Sequence, residues 1–395
     1  MIYIIGIGMD GEKTLTSEAK KAIEESDIMI GAERMIGMFE LLEKKTYITY
    51  NSDEISNILR NEEYSNAAIL MSGDIGFYSG ASKLIDRIGD LNYKLICGIS
   101  SFSYFCAATG ICYENTKLFS LHGTNDSVAI KVKMNEKCFF LLDNINTPDE
   151  ICKRLLEYNL GEVNVLIGEN LCGKNEKIYK GKAADYIETK FGKLSVMITI
   201  NSKYLSYDPI GISDAEFIRG NVPMTKSLVR GAVVSGLKIH SDSVCWDIGC
   251  GTGSVSVEMA YKCVNSTVYS FDKSEDALNL TKINSKKFGC DNIVPILGIC
   301  PSCFSGIPAP DKVFVGGSSG NLCDILDYIY TLNNNVDITI NAVTLETLNV
   351  AISYFKKKNI KCSFVQILVN ETKNIGKYTM FAAQNPVFVI KGYNL

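Results

Sequence analysis

At 395 residues the chain is long enough for two domains, each with its own core. A hydrophobic content of 46% and a charged content of 21% are ordinary for a globular protein and leave no case for disorder. The formal charge of −4 speaks against a general nucleic-acid binder, which needs a basic surface, but allows one small acidic substrate held by a local cluster of Lys and Arg.

Residues 2–5 form a short apolar run that ends in Gly6-Ile-Gly8 and then Asp10-Gly11, a buried strand running into a loop. Thr16 or Ser17 caps a following helix through Ala19, Ala22 and Ile23, with Glu18 in the first turn. Further strands are predicted at 27–31 and 67–71, the second leading into Ser72-Gly-Asp-Ile-Gly-Phe-Tyr-Ser79. The stretch 94–102, a helix of small residues over 104–109, and the runs 118–123 and 138–143 continue the alternation, which implies an α/β layer structure. An alternating strand at 194–200 closes this half, and the turn residues of 201–214, including Asp208-Pro-Ile-Gly, place a boundary near Ser206.

The second half is organised around Asp247-Ile-Gly-Cys-Gly-Thr-Gly253, between an apolar run (Val244, Cys245, Trp246) and a helical stretch over 255–263. Strand, three-glycine turn and helix in that order form a nucleotide-binding corner, with unpaired N–H groups at the helix start. Asp272 ends the next apolar run, about 20 residues on, where an acidic side chain suits ribose hydroxyls. Apolar runs at 243–248, 267–272, 293–297, 312–316, 337–343, 364–369 and 386–390 predict a seven-stranded sheet, with the Gly249 loop, Asp272, Cys300 and residues 316–319 at the carboxyl ends of its strands.

Fourteen cysteines scattered through apolar runs such as those of Cys138, Cys245 and Cys362 read as reduced core residues and not as a disulfide scaffold. The amino terminus lacks a basic segment, and no apolar run approaches the roughly 18 residues of a spanning helix, so a cytoplasmic protein with no membrane partner is expected. Cys300-Pro-Ser-Cys303 has the C-x-x-C redox spacing, but it follows the third strand of the sheet and is read as coincidence; with no second C-x-x-C, no metal is expected. Trp246 reads as core.

The compact D-x-G-x-G-x-G spacing resembles the S-adenosylmethionine (SAM) loop of class I methyltransferases. Across residues 1–200, the opening Ile-Gly-Ile-Gly8, Ser72-Gly-Asp-Ile-Gly-Phe-Tyr78, Gly98-Ile-Ser-Ser101, Ser120-Leu-His-Gly123 and Ile167-Gly-Glu-Asn-Leu171 resemble, in order, the tetrapyrrole (corrin/porphyrin) methylases of the cobalamin pathway. That resemblance implies a two-lobed fold with SAM held mainly by backbone groups of Gly8, Gly73, Asp74, Ile75, Ser100 and Ser101. Two positions depart from the family: Met9-Asp10-Gly11 stands for Pro-Gly-Asp, and Ile75 for the proline of Gly-Asp-Pro. His122 is a loop histidine open to a functional reading, as a general base or a contact to substrate, and to a plain one, as a hydrogen-bonding surface or hinge residue.

From about Gly211 onward, Glu216-Phe-Ile-Arg219, Pro223-Met-Thr-Lys226, the Gly249 loop and Val315-Gly-Gly-Ser-Ser-Gly320 resemble the C15 methyltransferases and decarboxylases of the same pathway. Carried over by resemblance, SAM contacts fall on Thr225, Gly249, Cys250, Gly251, Thr252, Gly253, Asp272 and Cys300, the last standing where the family has alanine. Together the two halves are similar to a fused C5,15-methyltransferase (decarboxylating) family. The resemblance implies one SAM per domain, C5 methylation by residues 1–205, and C15 methylation with loss of the C12 acetate carboxyl by residues 206–395.

The tetrapyrrole substrate is a polycarboxylate. Arg219, Lys226 and Arg230 are candidates to bind it, since Arg can hold a carboxylate with two hydrogen bonds. Glu216 is a candidate for proton handling, and Glu346, in the fifth-strand loop, is no better a candidate. A homo-oligomer without nucleic acid is the further expectation. The competing readings are a class I methyltransferase for RNA or another small molecule with an unrelated first domain, and a non-catalytic carrier of corrin intermediates.

Overall fold

The computed structural model describes residues 1–9, 13–124, 126–207 and 209–393; Asp10 and Gly11 of the first loop and Asp208 of the junction turn lie outside the described residues. The backbone divides into two compact units. The first comprises Met1–Thr124, Lys137–Glu150 and Asn164–Ile200, the second Asn125–Glu136, Ile151–Val163 and Asn201–Leu395. Two segments that precede the sequence boundary therefore group with the second unit.

The first unit holds two five-stranded sheets. Strands β1 (Ile2–Gly6), β2 (Ile28–Gly31), β3 (Lys45–Ile48), β4 (Ala67–Met71) and β5 (Tyr93–Ile96) form a wholly parallel sheet in the order β3-β2-β4-β1-β5. A parallel sheet is covered on both faces, which is why its three central strands, β2, β4 and β1, are continuously apolar, while the edge strands β3 and β5 are largely exposed. Ile4, Ile30 and Ile69 pack with Ile55 and Leu84 on one face, while Ile5, Met29 and Leu70 pack with Ala19 and Ile23 on the other. The helix Ser17–Glu24 starts where its cap dictates: Thr16 Oγ1 accepts from the Ala19 N–H at 3.2 Å. The second sheet is formed by β6 (Thr116–Ser120), β7 (Lys137–Leu141), β8 (Asn164–Glu169), β9 (Lys177–Lys182) and β10 (Ser195–Ile200), in the order β6-β7-β10-β8-β9. It is antiparallel except for β6 against β7. The helix Ser101–Thr109 sends Phe102 and Phe105 into its core beside Phe139, Leu166 and Ile198.

The second unit is built on one seven-stranded sheet. Its strands are β11 (Cys245–Ile248), β12 (Val268–Asp272), β13 (Ile293–Leu297), β14 (Lys312–Val315), β15 (Asp337–Ala342), β16 (Lys361–Ile367) and, after a separate hairpin of β17 (Asn370–Ile375) and β18 (Tyr378–Ala383), β19 (Val387–Tyr393). The order is β13-β12-β11-β14-β15-β19-β16, with β19 antiparallel to both neighbours and the rest parallel. Strand order reverses between β11 and β14, so a crevice opens beyond their carboxyl ends, the usual ligand position in such sheets. Side chains alternate across the sheet: Cys245 packs with Val233 and Met259 on one face, and Trp246 with Phe271 and Phe304 on the other. Trp246 is fully buried, as expected of core, and its indole N–H donates to the Pro308 carbonyl at 3.2 Å.

Segment 125–136 is tied into the second unit by Asp291, whose carboxylate accepts from the N–H groups of Val128, Ala129 and Ile130 at 2.6, 2.9 and 3.0 Å. Three amides at the start of the helix Ala129–Met134 thereby find the anion that a helix N-terminus favours.

Candidate active site

The chain leaves β11 at Ile248, makes the turn 249–253 and enters the helix Ser254–Ala260. Gly249 and Gly251 have φ of +75° and +57°, a region side chains disfavour. A Cβ on Gly249 would lie 2.7 Å from the backbone N and O of Gly317, and one on Gly251 2.6 Å from the Pro223 carbonyl. The loop is thus clamped between the turn after β14 and the segment ahead of the helix Ser227–Leu237, leaving its backbone open to a cavity of 740 Å³. That size suits a small-molecule site. Asp272, Gly298, Cys300 and residues 316–319 line it from the ends of β12, β13 and β14, and Val222, Pro223, Asn279 and Ile283 complete the walls.

Asp272 does more than face the cavity. One of its oxygens accepts from the Gly251 N–H and the other from the Ser274 N–H, both at 3.0 Å, so it also fixes the glycine turn. Beneath the turn, Asp247 is wholly buried. Ser256 Oγ donates to one carboxyl oxygen at 2.5 Å and accepts from Ser270 Oγ at 2.9 Å, while the other carboxyl oxygen has no partner among the described residues. Burial pushes this carboxyl up to about 7; Ser256 opposes the shift and the charge of Asp272 adds to it.

Gly249, Gly251, Asp272 and Cys300 line the cavity. Cys250, Thr252 and Gly253 are buried behind it; the Cys250 thiol lies 3.4 Å from Thr281 Oγ1, and the Thr252 hydroxyl has no partner among the described residues. Thr225 lies outside the lining, its carbonyl accepting from Arg230 at 2.6 Å.

Arg230 requires a correction. It is fully buried and does not reach a substrate. Its Nε donates to Glu258 at 2.5 Å and its Nη1 to Asp214 at 3.2 Å; Nη2 donates to the Ile212 carbonyl, and the guanidinium sits 4.8 Å over the Phe217 ring. Glu258 is fully buried too and also accepts from the N–H groups of Gly211 and Ile212, each at 3.0 Å. Arg230 therefore pins segment 211–225 to the helix Ser254–Ala260 that follows the glycine turn. The sequence signal was helical spacing: Arg230 shares the buried stripe of Val229, Val233, Val234 and Leu237.

Lys226 is paired with Asp214 at 3.6 Å, and Arg219 is exposed beside Gly220 at the cavity edge. Glu216 is exposed in the turn Asp214–Glu216 and outside the lining, so proton transfer by this carboxyl gains nothing from the geometry. Glu346 is exposed in the first turn of the helix Leu345–Lys357.

In the first unit the loops after β1, β4 and β5 meet. Gly8 and Gly73 exchange backbone hydrogen bonds of 3.0 and 2.7 Å. Asp74 accepts from Gly76 N–H at 2.8 Å with one oxygen and from Gly98 N–H at 2.9 Å with the other, tying two loops together and capping its own turn. Ile75 packs against the core beside Leu84, and Ser100 caps the helix Ser101–Thr109 by accepting from Ser103 N–H at 3.0 Å. His122 is exposed on the turn after β6. Gly8, Gly73, Asp74, Ile75, Ser100 and Ser101 thus gather at the carboxyl ends of a parallel sheet, where such folds take ligands.

A glycine turn over a switch-point cavity, with an acidic residue at the end of the next strand, is a nucleotide-cofactor corner, and the comparisons place it in a methyltransferase domain. Residues 216–392 match the precorrin methyltransferase domain, and residues 1–186 the tetrapyrrole (corrin/porphyrin) methylases. A protein of Pyrobaculum calidifontis named "Probable cobalt-precorrin-6B C(15)-methyltransferase (decarboxylating)" is 38% identical over 47% of this chain and 97% of its own length. A "Precorrin-6Y C(5,15)-methyltransferase [decarboxylating]" of Sinorhizobium sp is 24% identical over 98% of this chain and 94% of its own. The crystal structure of precorrin-6Y C5,15-methyltransferase from Geobacter metallireducens is similar at 34% identity, with a TM-score of 0.45, over 47% of this chain and 98% of that one. The chain belongs to the decarboxylating precorrin methyltransferases and carries a tetrapyrrole methylase domain ahead of the precorrin methyltransferase domain. The match of residues 1–186 removes the reading of an unrelated first domain.

Proposed function

We propose that this chain is a bifunctional C-methyltransferase of cobalamin biosynthesis, methylating precorrin-6B or its cobalt form at C5 and C15 and removing the C12 acetate carboxyl as carbon dioxide. The observation that carries this reading is the order of the two domain matches along one chain, which a relative of similar length shares over nearly its whole length. We assign C5 to residues 1–205, and C15 with the decarboxylation to residues 206–395, each domain binding its own SAM.

When bound, SAM supplies an electrophilic methyl group. The chain's task is to place a ring carbon of the macrocycle in line with that methyl, and orientation of this kind lowers a barrier by about 7–11 kcal/mol. In the second unit the clamped Gly249 turn and Asp272 provide a rigid, hydrogen-bonding wall for the donor, and Cys300 a soft apolar one. In the first unit the Gly8–Gly73 bridge and the Asp74 clamp fix the loops that would hold the other donor. No protein nucleophile is needed, because the reduced macrocycle supplies the attacking carbon and the electron sink for decarboxylation. Arg219, next to the lining residue Gly220, and Lys226, paired with Asp214, are our candidates for holding substrate carboxylates.

We further infer a cytoplasmic homo-oligomer that does not act on nucleic acid. Cysteines left as free thiols suit a reducing compartment, and among the described residues no helix is long and apolar enough to cross a membrane. Incubation with SAM and precorrin-6B or its cobalt form, followed by weighing the product, tests the function. Two added methyl groups and the loss of one carbon dioxide are expected; a single methylation, or none, contradicts the proposal.

A further inference from the structure

Cys300, part of the wall assigned to the donor, has a second thiol, Cys303, beside it. Cys300 lines the 740 Å³ cavity. Its sulfur lies 3.7 Å from that of Cys303, and both are free thiols. Cys303 lies inside the turn Pro301–Phe304, closed by the Phe304 N–H donating to the Pro301 carbonyl at 3.1 Å, and Cys300 directly precedes that turn. A disulfide needs the sulfurs to approach to about 2.05 Å. Cys303 is partly exposed; Cys300 is nearly buried. The two thus differ as an attacking and a resolving thiol do, the accessible one meeting the oxidant first.

The cavity wall depends on both. Cys303 packs so closely on Gly298, another lining residue, that a Cβ there would lie 2.5 Å from the Cys303 Cβ. The Cys300 carbonyl accepts from Asn321 Nδ2 at 3.2 Å. Gly298 and Cys300 line the same cavity as Gly249 and Gly251, so a link between the two sulfurs would act on the wall of that cavity.

We propose that Cys300 and Cys303 form a reversible disulfide that weakens methyl-donor binding in the second unit, a redox control resting on the assignment of this cavity to SAM. The oxidant is a small-molecule disulfide. The Cys303 sulfur, having lost its proton, attacks one sulfur of that disulfide and expels a thiolate, which takes up a proton. The Cys300 sulfur, losing its own proton, then attacks Cys303 Sγ and expels the second thiolate. Two protein S–H bonds give one S–S bond, and the external disulfide is reduced to two thiols.

Trp246 is the one tryptophan of the chain, and its ring lies 4.6 Å from that of Phe304, the neighbour of Cys303. Its fluorescence therefore reports on this site in the full chain. The full-length protein is equilibrated in buffers of oxidised and reduced glutathione, and S-adenosylhomocysteine binding is followed by Trp246 emission. The expected result is an emission change reversed by dithiothreitol, a Cys300–Cys303 peptide two hydrogens lighter by mass, and affinity weakened about tenfold on oxidation. Cys303→Ser and Cys303→Ala lose the response to glutathione. Reduced protein that fails to bind S-adenosylhomocysteine overturns the assignment of the cavity itself. Binding with no Cys300–Cys303 link, with a link that leaves affinity unchanged, or with an unaltered response in both variants overturns the redox control alone.

Discussion

Arg230→Met separates the structural account of this residue from the one its position in the chain suggests. Methionine keeps much of the apolar stem and removes the guanidinium, leaving Glu258 buried with two backbone N–H groups as its remaining partners. Stranding one member of a buried ion pair costs about 3–5 kcal/mol. The site amplifies the loss, because Asp214 and the carbonyls of Ile212 and Thr225 lose the same donor. Burial already raises the Glu258 carboxyl above its ordinary value, and Arg230 and the two amides oppose that shift. A carboxyl raised by folding stabilises the fold below its unfolded value of 4.5, and that contribution is lost as pH rises through the folded value. The deficit of the variant should therefore shrink in acid. Urea unfolding followed by Trp246 emission gives the cost, and adding Glu258→Gln should recover at least about 1 kcal/mol of it. A cost below about 1 kcal/mol together with a large rise in KM for the tetrapyrrole would refute the reasoning and return Arg230 to substrate binding.

Three further outcomes are expected. Asp247→Asn removes a carboxyl whose folded value is raised to about 7, so the wild type loses about 4 kcal/mol relative to the variant as pH rises from about 4 to about 8. Unfolding curves at both ends of that range check this, and a difference independent of pH would contradict it. Gly249→Ala forces a side chain into positive φ against the Gly317 backbone, at a cost of about 1–3 kcal/mol, and abolishes S-adenosylhomocysteine binding reported by Trp246. Glu216→Gln leaves kcat within about threefold of wild type, below about 1 kcal/mol of barrier, because the carboxylate is exposed outside the cavity; a larger drop would restore its proton-transfer role.

Much of the fold was legible because parallel strands, buried on both faces, announce themselves as apolar runs. All seven strands predicted for the second unit lie in its sheet, although β16 begins at Lys361 instead of Phe364. The ends of β16 are poorly marked because it is an edge strand with Phe364 and Val365 exposed. Strands β3 and β9 also lie at sheet edges, with mostly exposed residues and Lys at both ends of β9, and no apolar signal marked them. Strand β17 escaped for the same reason, since Asn370-Glu-Thr-Lys-Asn has no apolar alternation; β18 is apolar in sequence, with Tyr378, Met380 and Phe381, but these side chains are exposed.

At the site, the glycine turn and Asp272 were readable from spacing, since a backbone that must approach a ligand needs glycine at fixed positions. What spacing could not give was side-chain direction. Arg230 and Glu258 are charged residues on apolar stripes, and only their mutual burial explains them. Asn279 and Ile283, four residues apart on the helix Glu275–Phe288, reach the cavity from an otherwise polar stretch that carries no motif. The C-x-x-C was visible as letters, but the distance between its sulfurs and its place in the cavity wall were not.

The central claim is that one chain presents two separate methyl-donor pockets. Calorimetric titration of the full-length protein with S-adenosylhomocysteine tests it most directly. The account predicts two equivalents bound per chain by the wild type and one by Gly249→Ala. One equivalent for the wild type, or none surviving in the variant while it remains folded, would contradict it.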